Sequence, residues 1–296
     1  MKVNFSDKLI LKTREIGVPL CLGLDPHPAM IPELFTEKGS KTNIKLIENF
    51  LLEVISLAIG KIVAIKPQVA FFELFGPPGM QLLIRISKYA RENNILVIMD
   101  AKRGDIDSTS QAYANAWLGA NATFPSDALT INPWMGLDSI DPFLEQAHLT
   151  NTGVFILLRT SNPGAEDIQE QFVKNERLYI YLAKMLKPTI NKYIGDLGYS
   201  NIGVVVGAKS QNQATQIRKI LNKSLFLIPG FGTQGGTAKQ ALSGLIIRNN
   251  TFEGGLINCS RSLLFPPNAQ KASSLIEWRK EISESIKDTY RMLSVD

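Results

Sequence analysis

The sequence is poor in the residues that staple a fold together. It has two cysteines, Cys21 and Cys259, and no CxxC pair, which argues against a disulfide framework or a zinc site. Both lie in apolar runs, so buried, reduced thiols are expected. It has two histidines, His27 and His148. No ligand spacing joins them to other donors, so both are expected to be structural, and no metal is expected. The N-terminus lacks an apolar core followed by a small-residue cleavage site. No uncharged apolar stretch approaches membrane-spanning length. No membrane partner and a cytoplasmic location are therefore expected. The net charge of +5 is spread along the chain without a basic block. With no nucleic-acid motif beside it, a nucleic-acid partner is not expected. The charge reads as a solvated surface, part of which can serve an anionic small molecule. No repeat, low-complexity tract or Pro/Gly/Ser-rich linker divides the chain, so residues 1–296 are expected to form one domain.

What is present is a rhythm. Apolar runs occur at Val18 to Leu24, Ile62 to Ile65, Ile95 to Met99, Ala128 to Ile131, Val154 to Leu158, Ile202 to Val206, Leu225 to Ile228 and around Leu256 to Ile257. Runs this short and apolar suit parallel strands covered on both faces. Helical periodicity fills segments between them, at Lys45 to Leu57, Met80 to Glu92, Gln111 to Leu118 and Ala214 to Leu221, and an amphipathic stretch, Ser273 to Leu293, follows the last. Such alternation gives a closed barrel or an open doubly wound sheet. The strand count favours a (β/α)8 barrel, an α/β fold, and no GxGxxG follows the first strand. Polar residues at strand ends favour it too: Asp25, Lys66, Asp100, Lys102 and the turn Arg159-Thr160-Ser161. That is the end where barrel enzymes build their sites. The connection from Asn162 to Tyr199 is long, and is expected to hold the fifth helix plus added helical material.

The densest chemistry is Asp100-Ala-Lys102-Arg-Gly-Asp105, reached directly from a buried run. Charged residues are seldom buried unless paired or functional. If the third strand stays regular to its end, Asp100 and Lys102 share one face. Asp105 then lies beyond the strand, after Gly104. Asp25 and Lys66 add alternating signs around the same mouth, which fixes each lysine and keeps it protonated. A glycine-rich loop, Gly230-Phe-Gly232-Thr-Gln234-Gly235-Gly236, follows strand seven, and Ser260-Arg261 follows strand eight. Barrels commonly hold phosphate at that place. The loop is also the candidate lid.

These motifs resemble the orotidine 5′-phosphate decarboxylase family, its longer bacterial subgroup. The resemblance rests on Gly23-Leu-Asp-Pro, Lys66-Pro-Gln-x-Ala-Phe-Phe-Glu73, Asp-Ala-Lys-Arg-Gly-Asp-Ile106, Asn132-Pro-Trp-Met-Gly-Leu-Asp138-Ser, Arg159-Thr-Ser-Asn-Pro163 and Ser260-Arg261. Where the family often has Gly before the arginine, this chain has Ser260. The resemblance implies conversion of orotidine 5′-monophosphate to UMP and CO2 without metal or other cofactor. Lys102 would face C6 of the pyrimidine, stabilise the carbanion and protonate it. Asp100 would sit beside the substrate carboxylate, and Asp25 and Lys66 would bind the ribose hydroxyls. Ser161 would bond the pyrimidine, and Gln234 and Arg261 the phosphate, with Gly232, Gly235 and Ser260 shaping that loop. Asp100 and Asp105 would hold Lys102 in place and protonated, and Asp105 and Thr109 would reach into a neighbouring subunit's site, implying a homodimer with shared active sites. Two other readings stand beside it: a metal-dependent sugar-phosphate decarboxylase or aldolase-like relative on the same barrel, and a barrel that binds a phosphate ligand without turnover. A carboxylate at the place of Lys66 would favour the former.

Overall fold

The computed structural model describes residues 3–36, 43–209, 211–232 and 235–295. Eight parallel strands close into a barrel: β1 (Leu20–Leu24), β2 (Ala64–Pro67), β3 (Leu96–Arg103), β4 (Ala128–Ile131), β5 (Gly153–Arg159), β6 (Ile202–Val206), β7 (Phe226–Ile228) and β8 (Gly255–Cys259). Each strand pairs with its neighbours in sequence, and β8 returns to β1. The strands are buried almost throughout, which is why they read as continuous apolar runs.

The helices between them cover the barrel with one apolar stripe each. In α2 (Ile44–Ala58) the stripe is Ile47, Phe50, Leu51, Val54, Ile55 and Ala58, and the Asn43 side chain caps the start by accepting from the Lys45 N–H. Next come α3 (Gly76–Glu92), α4 (Asp107–Leu118), α5 (Asp141–Thr150), α6 (Leu178–Lys192), α7 (Gln211–Ile220) and the C-terminal α8 (Leu275–Leu293). The α8 stripe drives Trp278 against Phe35 and Phe50.

An additional helix, α1 (Phe5–Ile16), lies across the N-terminal mouth. Its Ser6 hydroxyl donates to the Tyr199 carbonyl, and Phe5 meets Phe155 edge-on with ring centres 6.0 Å apart. This seals the end of the barrel away from the loops that carry chemistry.

The long connection after β5 departs from an all-helical expectation. It holds a short helix, Ala165–Ile168, and an antiparallel ribbon, Phe172–Val173 with Glu176–Arg177, before α6. Lys174 and Asn175, both at positive φ, form the ribbon's two-residue turn, the backbone such tight hairpins require. Arg159 is spent on this excursion. Its Nε donates to Glu170 at 2.9 Å and its Nη1 to the Thr160 carbonyl. Arg159 is therefore a brace for the fifth loop, not a lining residue of the mouth, which corrects its place among the chemical residues at the strand ends.

Candidate active site

A cavity of about 270 Å³ opens at the C-terminal mouth of the barrel. Its floor is organised around one carboxylate. Asp100 is buried and takes four hydrogen bonds. Lys66 Nζ donates to Oδ2 at 2.5 Å, and Gln68 Nε2 donates to the same oxygen at 3.1 Å. Lys102 Nζ donates to Oδ1 at 2.6 Å, and the Thr130 hydroxyl at 3.1 Å. Both lone-pair sets are thus filled by donors, two of them cationic.

The electrostatics follow from this geometry. Burial alone would push the Asp100 carboxyl up, but Lys66, Lys102 and their hydrogen bonds override it, holding the group well below the usual carboxylate range. Burial likewise works against the Lys66 ammonium. Asp100 and Asp25 reverse that and raise it above an ordinary lysine. The two buried groups therefore keep each other ionised.

The even alternation expected along β3 does not hold to its end. From Met99 to Arg103 the strand advances four residues while β4 advances two, from Leu129 to Ile131. Lys102 takes up the excess with φ +49, a left-handed conformation that costs a non-glycine residue roughly 1–3 kcal/mol. Its N–H leaves the strand ladder and donates to Thr130 Oγ1 at 3.0 Å. Asp100 and Lys102 still meet, but through a bulge. Below it the chain is re-anchored by Arg103, whose guanidinium bonds Glu73 at 2.5 Å and lies over the Tyr113 and Trp117 rings. Gly104 is needed there, since a Cβ would stand 2.9 Å from the Asn132 carbonyl oxygen. Arg103 and Gly104 hold the turn that follows the lysine.

Asp25, Ser161, Ser260 and Arg261 line the same cavity. Oδ1 of Asp25 is buried and, among the described residues, accepts no hydrogen bond, an acceptor suited to a ligand hydroxyl. Gly23 allows β8 to close in, because a Cβ would fall 1.9 Å from Ser260 Oγ. Gly232 and Gly235 sit at φ +78 and +83, and their N–H groups donate within the loop, to Gly236 and Gly232. They shape the turn, whereas Gly230 and Phe231 line the cavity. Gln234 lies outside the described residues.

Asp105 and Thr109 are not brought to this cavity. Thr109 is exposed in the first turn of α4. Asp105 accepts from the Ile106 N–H, while Ser110 ties its carbonyl down. Sequence reasoning missed Gln68, Thr130 and Asn258 as cavity residues. Each carried a signal: Gln68 stands two positions after Lys66, Asn258 two before Ser260, and Thr130 is a lone hydroxyl in an apolar run.

The histidines sit against rings, His27 on Phe71 and His148 near Tyr193. Among the described residues, no three His, Cys, Asp or Glu side chains group as metal ligands, and no helix is long and apolar enough to cross a membrane.

Residues 18–276 match the family described as orotidine 5′-phosphate decarboxylase / HUMPS. An orotidine 5′-phosphate decarboxylase of Clostridium perfringens is 38% identical over 288 residues, covering 97% of this chain and 98% of that protein. One from Rhodopirellula baltica is 33% identical over 279 residues, covering 92% and 91%. The structure of Leishmania donovani OMP decarboxylase superposes with a TM-score of 0.72 at 30% identity, covering 98% of this chain and all 100% of that one.

Proposed function

The chain belongs to the orotidine 5′-phosphate decarboxylase / HUMPS family, and on that premise we propose that Lys102 carries out its chemistry on a substrate held over the Asp100 network. The reaction is loss of CO2 from orotidine 5′-monophosphate to give UMP, a carboxy-lyase step of pyrimidine biosynthesis. The observation that carries the mechanism is the gathering of Lys66 and Lys102 on one buried carboxylate.

When the bond from C6 to the carboxylate breaks, its electron pair stays on C6. The ring delocalises that charge poorly, so the protein must stabilise it. A fixed ammonium aimed at C6 does so more strongly in a water-poor site than in water. Lys102 then gives one N–H proton to C6 and is reprotonated from solvent. Asp100 keeps the Lys102 ammonium in place, and Lys66 keeps Asp100 ionised. Asp25 and Lys66 bind the ribose hydroxyls, and Ser161 the pyrimidine. Arg261, with Gln234 and Ser260, takes the phosphate on a loop shaped by Gly232 and Gly235. Phosphate binding, remote from C6, drives closure of that loop. Asp105 and Thr109, which do not line this cavity, serve the site of a neighbouring subunit, and the working unit is a homodimer in the cytoplasm. Each chain is one catalytic domain, and no cofactor takes part.

The metal-dependent alternative is not favoured. Lys66 stands where such a relative would place a carboxylate, and the near-full-length relatives above are decarboxylases by name. The test is UMP formation from orotidine 5′-monophosphate by purified protein in EDTA. Undiminished turnover is expected. Turnover that EDTA abolishes and a divalent cation restores would overturn the metal-free reading.

A further inference from the structure

We propose that Thr130 is a positioning residue for Lys102, its hydroxyl coupling the bulged backbone to the Asp100 carboxylate. The inference rests on the reading of Lys102 as the group that faces C6. Thr130 is 1% exposed, in the middle of β4. Its Oγ1 does two jobs. It accepts the Lys102 N–H at 3.0 Å and donates to Asp100 Oδ1 at 3.1 Å.

The bulge makes this bridge necessary. Where β3 slips past β4, the Lys102 amide has left the regular ladder, and this part-buried N–H needs another acceptor. Oγ1 replaces the missing carbonyl. The same oxygen then sends its own proton to the carboxylate that holds Lys102 Nζ. Lys102 is thus fixed at both ends through one hydroxyl: its backbone directly, its ammonium by way of Asp100. This matters most for Lys102 because its side chain is 45% exposed while that of Lys66 is 5% exposed. Packing immobilises Lys66. For Lys102, the bulge and the carboxylate set its direction.

A β-branched hydroxyl is the natural choice. Its methyl fills the strand layer as valine would, and its oxygen faces the bulge. Thr130→Val keeps the shape and removes both bonds. Thr130→Ser keeps the bonds and removes a methyl.

The experiment measures kcat and KM for orotidine 5′-monophosphate with Thr130→Val and Thr130→Ser, beside Lys102→Ala, and UMP binding by each. Loss of hydrogen bonds involving a charged group predicts a kcat reduced roughly 10- to 100-fold in Thr130→Val. KM and UMP affinity should change little, and Thr130→Ser should recover most of kcat. Wild-type kcat in Thr130→Val overturns the proposal, as does a raised KM at unchanged kcat, or equal loss in both variants. If Thr130→Val does not fold, Thr130→Cys, whose thiol is a weak donor, takes its place under the same criteria. Should Lys102→Ala itself turn over normally, the reading of the lysine fails, and that result is separate from the behaviour of the Thr130 variants.

Discussion

Replacing Asp100 with asparagine is the sharpest perturbation of the buried network. The exchange preserves volume and removes one charge. All four neighbours of the carboxylate are donors, so an amide must turn its NH2 toward two of them. The two lysines then fare differently. The Lys102 side chain is 45% exposed and can turn to water, whereas that of Lys66 is 5% exposed and cannot. Lys66 is left as a buried ammonium with Asp25 as the largest remaining source of favourable charge. Removing one partner of a buried pair typically costs about 3–5 kcal/mol. For a chain of 296 residues, about 3 kcal/mol lowers Tm by roughly 5 °C.

The pH dependence has a definite form. The Asp100 contribution is present above the unfolded carboxyl value of about 3.9 and is lost only as pH falls through its lower folded value. The Lys66 contribution is present below about 10.4 and is lost as pH rises through its higher folded value. The contribution of the pair in wild type should therefore be nearly flat from about pH 5 to about pH 9, while in Asp100→Asn burial of Lys66 is opposed by less charge, so the gap narrows on the alkaline side as that ammonium gives up its proton. Urea unfolding at several pH values measures it. A variant as stable as wild type at neutral pH would refute the argument that Asp100 compensates Lys66.

Two further outcomes follow from other parts of the molecule. Burial pushes the Cys21 thiol up to about 12 and raises Cys259 further. An aromatic disulfide reagent at mildly alkaline pH should titrate neither thiol in the native protein and both after denaturation; rapid native labelling would contradict the packing of β1 against β8. If sites are shared between subunits, mixing inactive Lys102→Ala with inactive Asp105→Ala chains should restore about a quarter of wild-type activity, because half the dimers are mixed and each mixed dimer has one intact site. No recovery after verified subunit exchange would place Asp105 outside the partner's site.

The barrel and the core of its site were legible because both are written in local contrast. Apolar runs of strand length ending in Asp25, Lys66 or Asp100 mark buried strands delivering charge to one mouth. The residues that were not legible depend on backbone geometry or distant contacts. Nothing about a lysine announces a left-handed φ, so the bulge at Lys102 and the role of Thr130 stayed hidden behind an ordinary apolar run. Arg159 looked chemical by position, and only its bond to Glu170, just before the ribbon in the same long connection, reveals it as a brace. Helix α1 finds its partners at Tyr199 and Asn201, far along the chain.

The central claim is that Lys102 stabilises and protonates C6. Its most direct test is UMP formation by wild type and Lys102→Ala in the same buffer, with UMP binding measured for both. Loss of a preorganised charge and of the proton donor together predicts turnover reduced by at least about 10³-fold while UMP still binds. Lys102→Ala protein that forms UMP at the wild-type rate would contradict the account.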